Sequence, residues 1–185
     1  MPPKQNKTTI SHTPYGPVVI VWRSAAGGPR ILRLLLSSPG SSALQRVSEM
    51  FPQARESPWQ AVSSKITRFL FGKPVTFDLA MTNLSRCSTF QQRVLQAEHA
   101  IPRGRVSSYQ RIARHLGVPK GARAVGNALA HNPFPLIVPC HRAIRSDGSL
   151  GGFQGGMAMK RALLLKEGIS LSPAGHVRHP CWHYG

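Results

Sequence analysis

Acidic residues are what this sequence most lacks: six Asp and Glu stand against 24 Lys and Arg in 185 residues, a formal charge of +18. Such an imbalance attracts polyanions, and nucleic acid, bound through phosphate neutralisation, is the expected partner. Solubility alone is the blander account. A membrane surface competes, but no apolar run approaches the roughly 20 residues of a spanning helix. Nor does a basic stretch followed by an apolar one open the chain, which points away from secretion. Cysteine is scarce as well. Cys87, Cys140 and Cys181 form an odd, widely spaced set that does not read as a disulfide framework. They fit a reducing, intracellular setting in which a thiol stays free. Hydrophobic content of 41% is slightly low yet sufficient for a core, and the length allows one large domain or two small ones.

What is present is organised around Ile137-Val138-Pro139-Cys140-His141-Arg142-Ala143-Ile144, an apolar run like a buried strand, interrupted by a thiol, an imidazole and a guanidinium. Pro139 cannot donate to a sheet ladder, so a strand must end or bend there. A Cys beside His and Arg sits where positive charge favours a thiolate; a buried, inert thiol is the alternative.

Before this stretch the chain reads as a small α/β module. Residues 1–14 are polar and read as a loose start. Residues 18–22 and 31–36 read as an antiparallel hairpin across Ala25-Ala26-Gly27-Gly28-Pro29. Ser41 or Ser42 caps a helix reaching Met50, a second helix spans 58–71, and 75–77 reads as a short strand. A polar boundary at 82–88 separates residues 1–84, a structural domain, from 85–170; residues 171–185 form a His-rich tail.

In the second half a helix capped by Ser88 or Thr89 ends before Pro102. Tyr109, Ile112, Ala113 and Leu116 then fall on one helical face, Gly117-Val118-Pro119 turns the chain, and Ala122, Val125, Gly126 and Leu129 repeat the spacing. Two short helices joined through Gly are the pattern of a helix-turn-helix, or of an ordinary helical hairpin. The second is nearly bare, with Ala122, Ala124, Gly126, Ala128 and Ala130, and Arg123 projects from its first turn. Four glycines within residues 151–156 call for a backbone that approaches something closely, and a last helix spans 158–167. Glu167 is either an orienting partner for a His or a surface acid. His176, His179, Cys181 and His183 match no zinc template, and no metal is expected.

Taken together, these blocks resemble the O6-alkylguanine-DNA alkyltransferases. The resemblance covers residues 88–168: Ile101-Pro102-x-Gly104-x-Val106-x-Ser108-Tyr109, Ala122-Arg123-Ala124-Val125-Gly126, Asn132-Pro133-x-Pro135, Pro139-Cys140-His141-Arg142, Gly155-Gly156 and Leu163-Leu164-x-x-Glu167-Gly168. It implies an RNase H-like α/β N-terminal domain and a mainly helical C-terminal domain carrying a helix-turn-helix and the active-site Cys. It also implies a single-turnover suicide methyltransferase, acting as a monomer without a cofactor in the cytoplasm, nucleoid or nucleus. Its partner would be double-stranded DNA containing O6-alkylguanine or O4-alkylthymine, bound through the minor groove with the target nucleotide flipped out.

The resemblance assigns Cys140 as nucleophile, His141 as base through a water, Glu167 as the group orienting His141, and Asn132 as a tie to the active-site strand. Arg123 would take the vacated place in the duplex while the helix of Ala122, Ala124 and Gly126 lies in the groove. Tyr109 would crowd the target phosphate and donate to the base. The carbonyls of Cys140 and Ala143 would accept from the base, Phe153, Gln154 and Gly155 would cover it, and Ser108 and Arg142 would join the DNA contacts. Ala143, Phe153 and Gln154 depart from the commoner Val, Tyr and Ser. A damage-binding relative without chemistry would lack the Cys; a helix-turn-helix regulator would leave Cys140, His141 and Glu167 without purpose.

Overall fold

Residues 5–178 and 181–185 are described by the computed structural model. They fall into two compact units, one running to Leu84 and including Pro133–Pro135, the other comprising Ser85–Asn132 and Leu136–Gly185. No helix among the described residues is long and apolar enough to cross a membrane.

The first unit carries a sheet of Asn6–Ile10 (β1), Val18–Arg23 (β2), Arg30–Leu36 (β3) and Arg55–Glu56 (β4), in the order β3-β2-β1-β4. β2 and β3 form the expected antiparallel hairpin. Helices Ala43–Met50 (α1) and Gln60–Leu70 (α2) follow, with the Ser42 side chain accepting the Leu44 N–H at the start of α1. Val19, Val21, Leu32 and Leu35 close a core with Ala43 and Val47 of α1. Two expectations fail here. The polar start is a strand, because β2 presents a full row of backbone groups and β1 satisfies them in antiparallel register. Thr8 adds to this, accepting from Trp22 Nε1 at 3.0 Å and donating to the Ser57 carbonyl at 2.7 Å. Residues 1–4 of that start lie outside the described residues. Residues 75–77 join no sheet; Phe77 is instead buried against the Phe69 ring, 5.8 Å between centroids.

The second unit is mainly helical: Thr89–His99 (α3), Tyr109–His115 (α4), Ala122–Ala130 (α5) and Gly156–Lys166 (α6), with short strands Ser107–Ser108 (β5) and Ala143–Ile144 (β6). β5 and β6 pair in parallel, Ser107 opposite Ala143 and Ser108 opposite Ile144. That pairing places the start of α4 beside the chain leaving Cys140. Val106, Ile144, Leu150, Leu164, Ile169 and Val177 form the core beneath. The turn between α4 and α5 uses Gly117 at φ +75°, a conformation that favours glycine.

The apolar run before Cys140 is buried but is not a strand. Leu136 turns at φ +73°, and Pro133, Pro135 and Pro139 have no N–H to offer a ladder. Cys140–Arg142 then forms a single 3-10 turn, with the Arg142 N–H on the Pro139 carbonyl at 2.8 Å. Residues 181–184 dock on β5: the Val106 N–H donates to the Cys181 carbonyl, and the His183 N–H donates back to Val106. Arg111 sits 4.7 Å above the Trp182 ring.

Candidate active site

The site lies within the second unit, where a cavity of about 250 Å³ is lined by Tyr109 from α4, Gly126, Leu129 and Ala130 from α5, Cys140, and Gly152, Phe153 and Gln154 from the glycine-rich loop. Cys140 contributes a thiol to its lining. The Asn132 side-chain amide donates to Cys140 Sγ at 3.3 Å and to the Val138 carbonyl at 3.1 Å, tying the end of α5 to the turn that carries the thiol.

Positive charge does not hold Cys140 as a thiolate. Burial pushes its thiol up to about 11, against the opposing Asn132 hydrogen bond. The neighbouring guanidinium is committed elsewhere: Arg142 Nε and Nη2 donate to the two Glu167 oxygens at 2.8 and 2.7 Å, and Nη1 donates to the Ile101 carbonyl at 2.6 Å. The assignment of Arg142 to DNA contacts is therefore corrected: it is buried and faces the carboxylate. Ser108 is corrected too. It is buried, and its hydroxyl caps α4 by accepting the Arg111 N–H at 3.1 Å.

Glu167 is no surface acid. It closes α6 as a buried residue, and Oε1 accepts from His141 Nε2 at 3.0 Å. Burial alone would raise its carboxyl, but the His141 and Arg142 hydrogen bonds and charges bring it down to about 2. Burial lowers His141, so a neutral imidazole meets a permanent carboxylate. The proton then belongs on Nε2, leaving Nδ1 as the basic nitrogen. The Phe153 ring stands edge-on to His141, 6.1 Å between centroids.

Tyr109 is pushed up to about 12, first by burial and then by Glu98 and Cys140, so its phenol remains a hydrogen-bond donor. The close approach expected of the glycines is present. A Cβ on Gly151, which sits at φ +68°, would lie 2.6 Å from Tyr109 Oη, and one on Gly155 would collide with Met159 Sδ. On α5, Arg123 and Ala124 are exposed. Arg123, Gly126 and Ala130 are spaced i, i+3, i+7, so the arginine shares the helix face that borders the cavity. Ala122 is half-buried at the start of that helix. Ala143 is fully buried, and its carbonyl accepts from Lys160 Nζ at 2.6 Å.

Leu129, Ala130 and Gly152 were not anticipated, and neither were the buried Glu98 and Lys160. For the last two a signal existed. Glu98 follows Val94 and Leu95 by four and three positions on α3, and Lys160 precedes Leu163 and Leu164 by three and four on α6, so each lies on an apolar face. His176, Cys181 and His183 join no group of three His, Cys, Asp or Glu able to hold a metal among the described residues; His179 lies outside them.

A model of the DNA-binding domain of 6-O-methylguanine DNA methyltransferase matches residues 89–169. The methylated-DNA–protein-cysteine methyltransferase of Methanothermobacter thermautotrophicus is 46% identical over 106 residues, 57% of this chain and 59% of that protein. The chain thus spans less than two thirds of that relative's length. The corresponding protein of Mycolicibacterium paratuberculosis is 34% identical over 155 residues, 80% of this chain and 93% of the other. Mycobacterium tuberculosis OGT in complex with DNA superposes with a TM-score of 0.71 at 35% identity, covering 88% of this chain and 92% of that one. With its cysteine lining a cavity and likeness extending over both units, the chain belongs to the methylated-DNA–protein-cysteine methyltransferase family.

Proposed function

We propose that the protein repairs duplex DNA by moving an alkyl group from O6 of guanine, and from O4 of thymine, irreversibly to Cys140. The observation that carries this reading is the placement of Cys140 in a base-sized cavity beside a buried imidazole–carboxylate–guanidinium array. A charge of +18 and the bare, Arg-bearing face of α5 support docking on duplex DNA, as does the DNA-bound mycobacterial relative. A target atom inside a base pair reaches the cavity only when its nucleotide is rotated out, and Arg123, exposed on α5, would fill the gap.

In the cavity, His141 Nδ1 takes the thiol proton through one bridging water while Nε2 stays on Glu167. The sulfur attacks the alkyl carbon; the S–C bond forms, the C–O6 bond breaks, and its electrons remain on the base. Tyr109 donates to the base as that charge develops, and overall the thiol proton replaces the alkyl group on the base. The product is a thioether, so each molecule reacts once, with no cofactor. A helix-turn-helix regulator without chemistry would leave the Cys140 cavity without a use.

Weighing the protein after incubation with a duplex containing O6-methylguanine tests this. A single methyl-sized gain, absent in Cys140→Ala, is expected. No gain, or repeated turnover, refutes it.

A further inference from the structure

Glu98 is one of six acids in the chain, yet it is fully buried, and among the described residues neither of its oxygens has a partner in normal hydrogen-bond geometry, the Ala143 backbone N–H acting on it only outside that geometry. Lys160 is equally buried but well placed as an ammonium: Nζ donates to the Ala143 carbonyl at 2.6 Å and the Gly152 carbonyl at 3.3 Å. It thereby links the strand leaving the nucleophile to the loop that covers the cavity. Arg142 and Glu167 neutralise each other. Among the described residues, Lys160 is then the cation acting on the Cys140 sulfur and Glu98 the carboxyl acting on it.

We propose that Glu98 regulates the charge Lys160 presents to Cys140: as a neutral acid it leaves the ammonium to compensate the thiolate, and as a carboxylate it claims that ammonium. Glu98 thus acts as a positioning residue through Lys160 and does not touch the substrate. Its electrostatic neighbours come from every side: Lys160 on α6, Arg142, Cys140 and the Ala143 backbone around the 3-10 turn, Tyr109 on α4, and Tyr184 near the C-terminus. Arg145 acts in turn on Lys160 and Tyr109. Burial raises Glu98 to about 8 and lowers Lys160 to about 8, in keeping with a buried acid that holds its proton near neutrality. Burial of the carboxyl favours its neutral form and outweighs Lys160, Arg142 and the Ala143 backbone, whereas two carbonyl acceptors favour the charged lysine.

The consequence for repair rests on the alkyl-transfer reading, so the test includes a probe independent of DNA. Iodoacetamide alkylates a thiolate, forming the S–C bond and releasing iodide. Its rate at Cys140 is followed by peptide mass spectrometry from about pH 6 to 10, with Cys87 and Cys181 scored separately and methyl transfer from duplex measured alongside. In the unaltered chain the rise with pH flattens above about pH 8, as Glu98 ionises. Glu98→Gln keeps rising and is about tenfold faster at pH 9, the size of one neighbouring charge; Glu98→Asp retains the flattening. Lys160→Met slows Cys140 about tenfold, and Glu98→Gln then adds nothing.

Superimposable profiles for Glu98→Gln and the unaltered chain overturn the proposal, as does an equal Glu98→Gln effect with and without Lys160. Should Lys160→Met not fold, the contrast of Glu98→Gln with Glu98→Asp at pH 9 still decides. The predicted iodoacetamide profile without methyl transfer would sink the repair reading and leave this one standing.

Discussion

Replacing Glu167 by Gln tests the buried array most directly. Three N–H donors converge on the two carboxylate oxygens: His141 Nε2, Arg142 Nε and Arg142 Nη2. An amide keeps one oxygen and turns its NH2 toward at least one donor, leaving a buried guanidinium without its counter-charge. Breaking a buried pair in this way costs about 3–5 kcal/mol. The ionisation of Glu167 gives a separate figure. Burial opposes it, yet the hydrogen bonds and charges bring the carboxyl from 4.5 to about 2, which at about 1.4 kcal/mol per tenfold corresponds to about 3 kcal/mol.

The sign follows from a folded value below the unfolded one. The stabilisation is complete above about pH 4.5 and disappears as pH falls through about 2. At pH 7 Glu167→Gln should therefore melt lower by about 10 °C, at about 2–4 °C per kcal/mol for a chain of this size. Calorimetry at pH 7 and pH 3 checks this, with the gap expected to narrow at the lower pH. A loss under about 1 kcal/mol, or an equal gap at both pH values, refutes the reasoning.

Gly151→Ala places a methyl against Tyr109 Oη at φ +68°; stability should fall by about 1–3 kcal/mol, and single-turnover transfer from duplex should slow as the covering loop shifts. Arg123→Ala should slow repair in duplex far more than reaction with a free O6-alkylguanine base, because only the former requires rotation out of the stack; equal slowing removes that role. DNA affinity measured across a salt series should fall steeply and linearly on logarithmic axes, and a flat response would count against the basic surface as the docking face.

Much of this was legible in the chain itself. The β2–β3 hairpin, the Ser42 cap and the α4–α5 pair follow from alternation, capping chemistry and 3.6-residue spacing, all of them local signals. The Asn132–Cys140 and His141–Glu167 hydrogen bonds join residues that the resemblance groups in one site. Several of the misses share one cause, which is that partners distant in sequence decide. β1 is polar and becomes a strand only because β2 needs a ladder partner. The apolar run before Cys140 is buried without pairing because three prolines deny it donors. Arg142 is expected among the DNA contacts until Glu167, 25 residues away, claims it. Cys140 looks activated by its basic neighbours, but burial outweighs them.

The docking of residues 181–184 on β5 bears on how the protein is made. The Ser107 hydroxyl reaches the His183 carbonyl across 76 residues, and the Tyr184 hydroxyl reaches the Ala97 carbonyl across 87. At a ribosomal rate of about 5–20 residues per second, α3 waits roughly 4–17 seconds for that partner. Until that partner arrives the backbone at Val106, just before β5, stands open as a template for stray strands, and for the second half of the interval Cys140 has already been synthesised. The nascent chain is therefore most exposed to aggregation and to adventitious thiol chemistry in the seconds before residues 181–184 arrive, and that is the window a chaperone would need to cover.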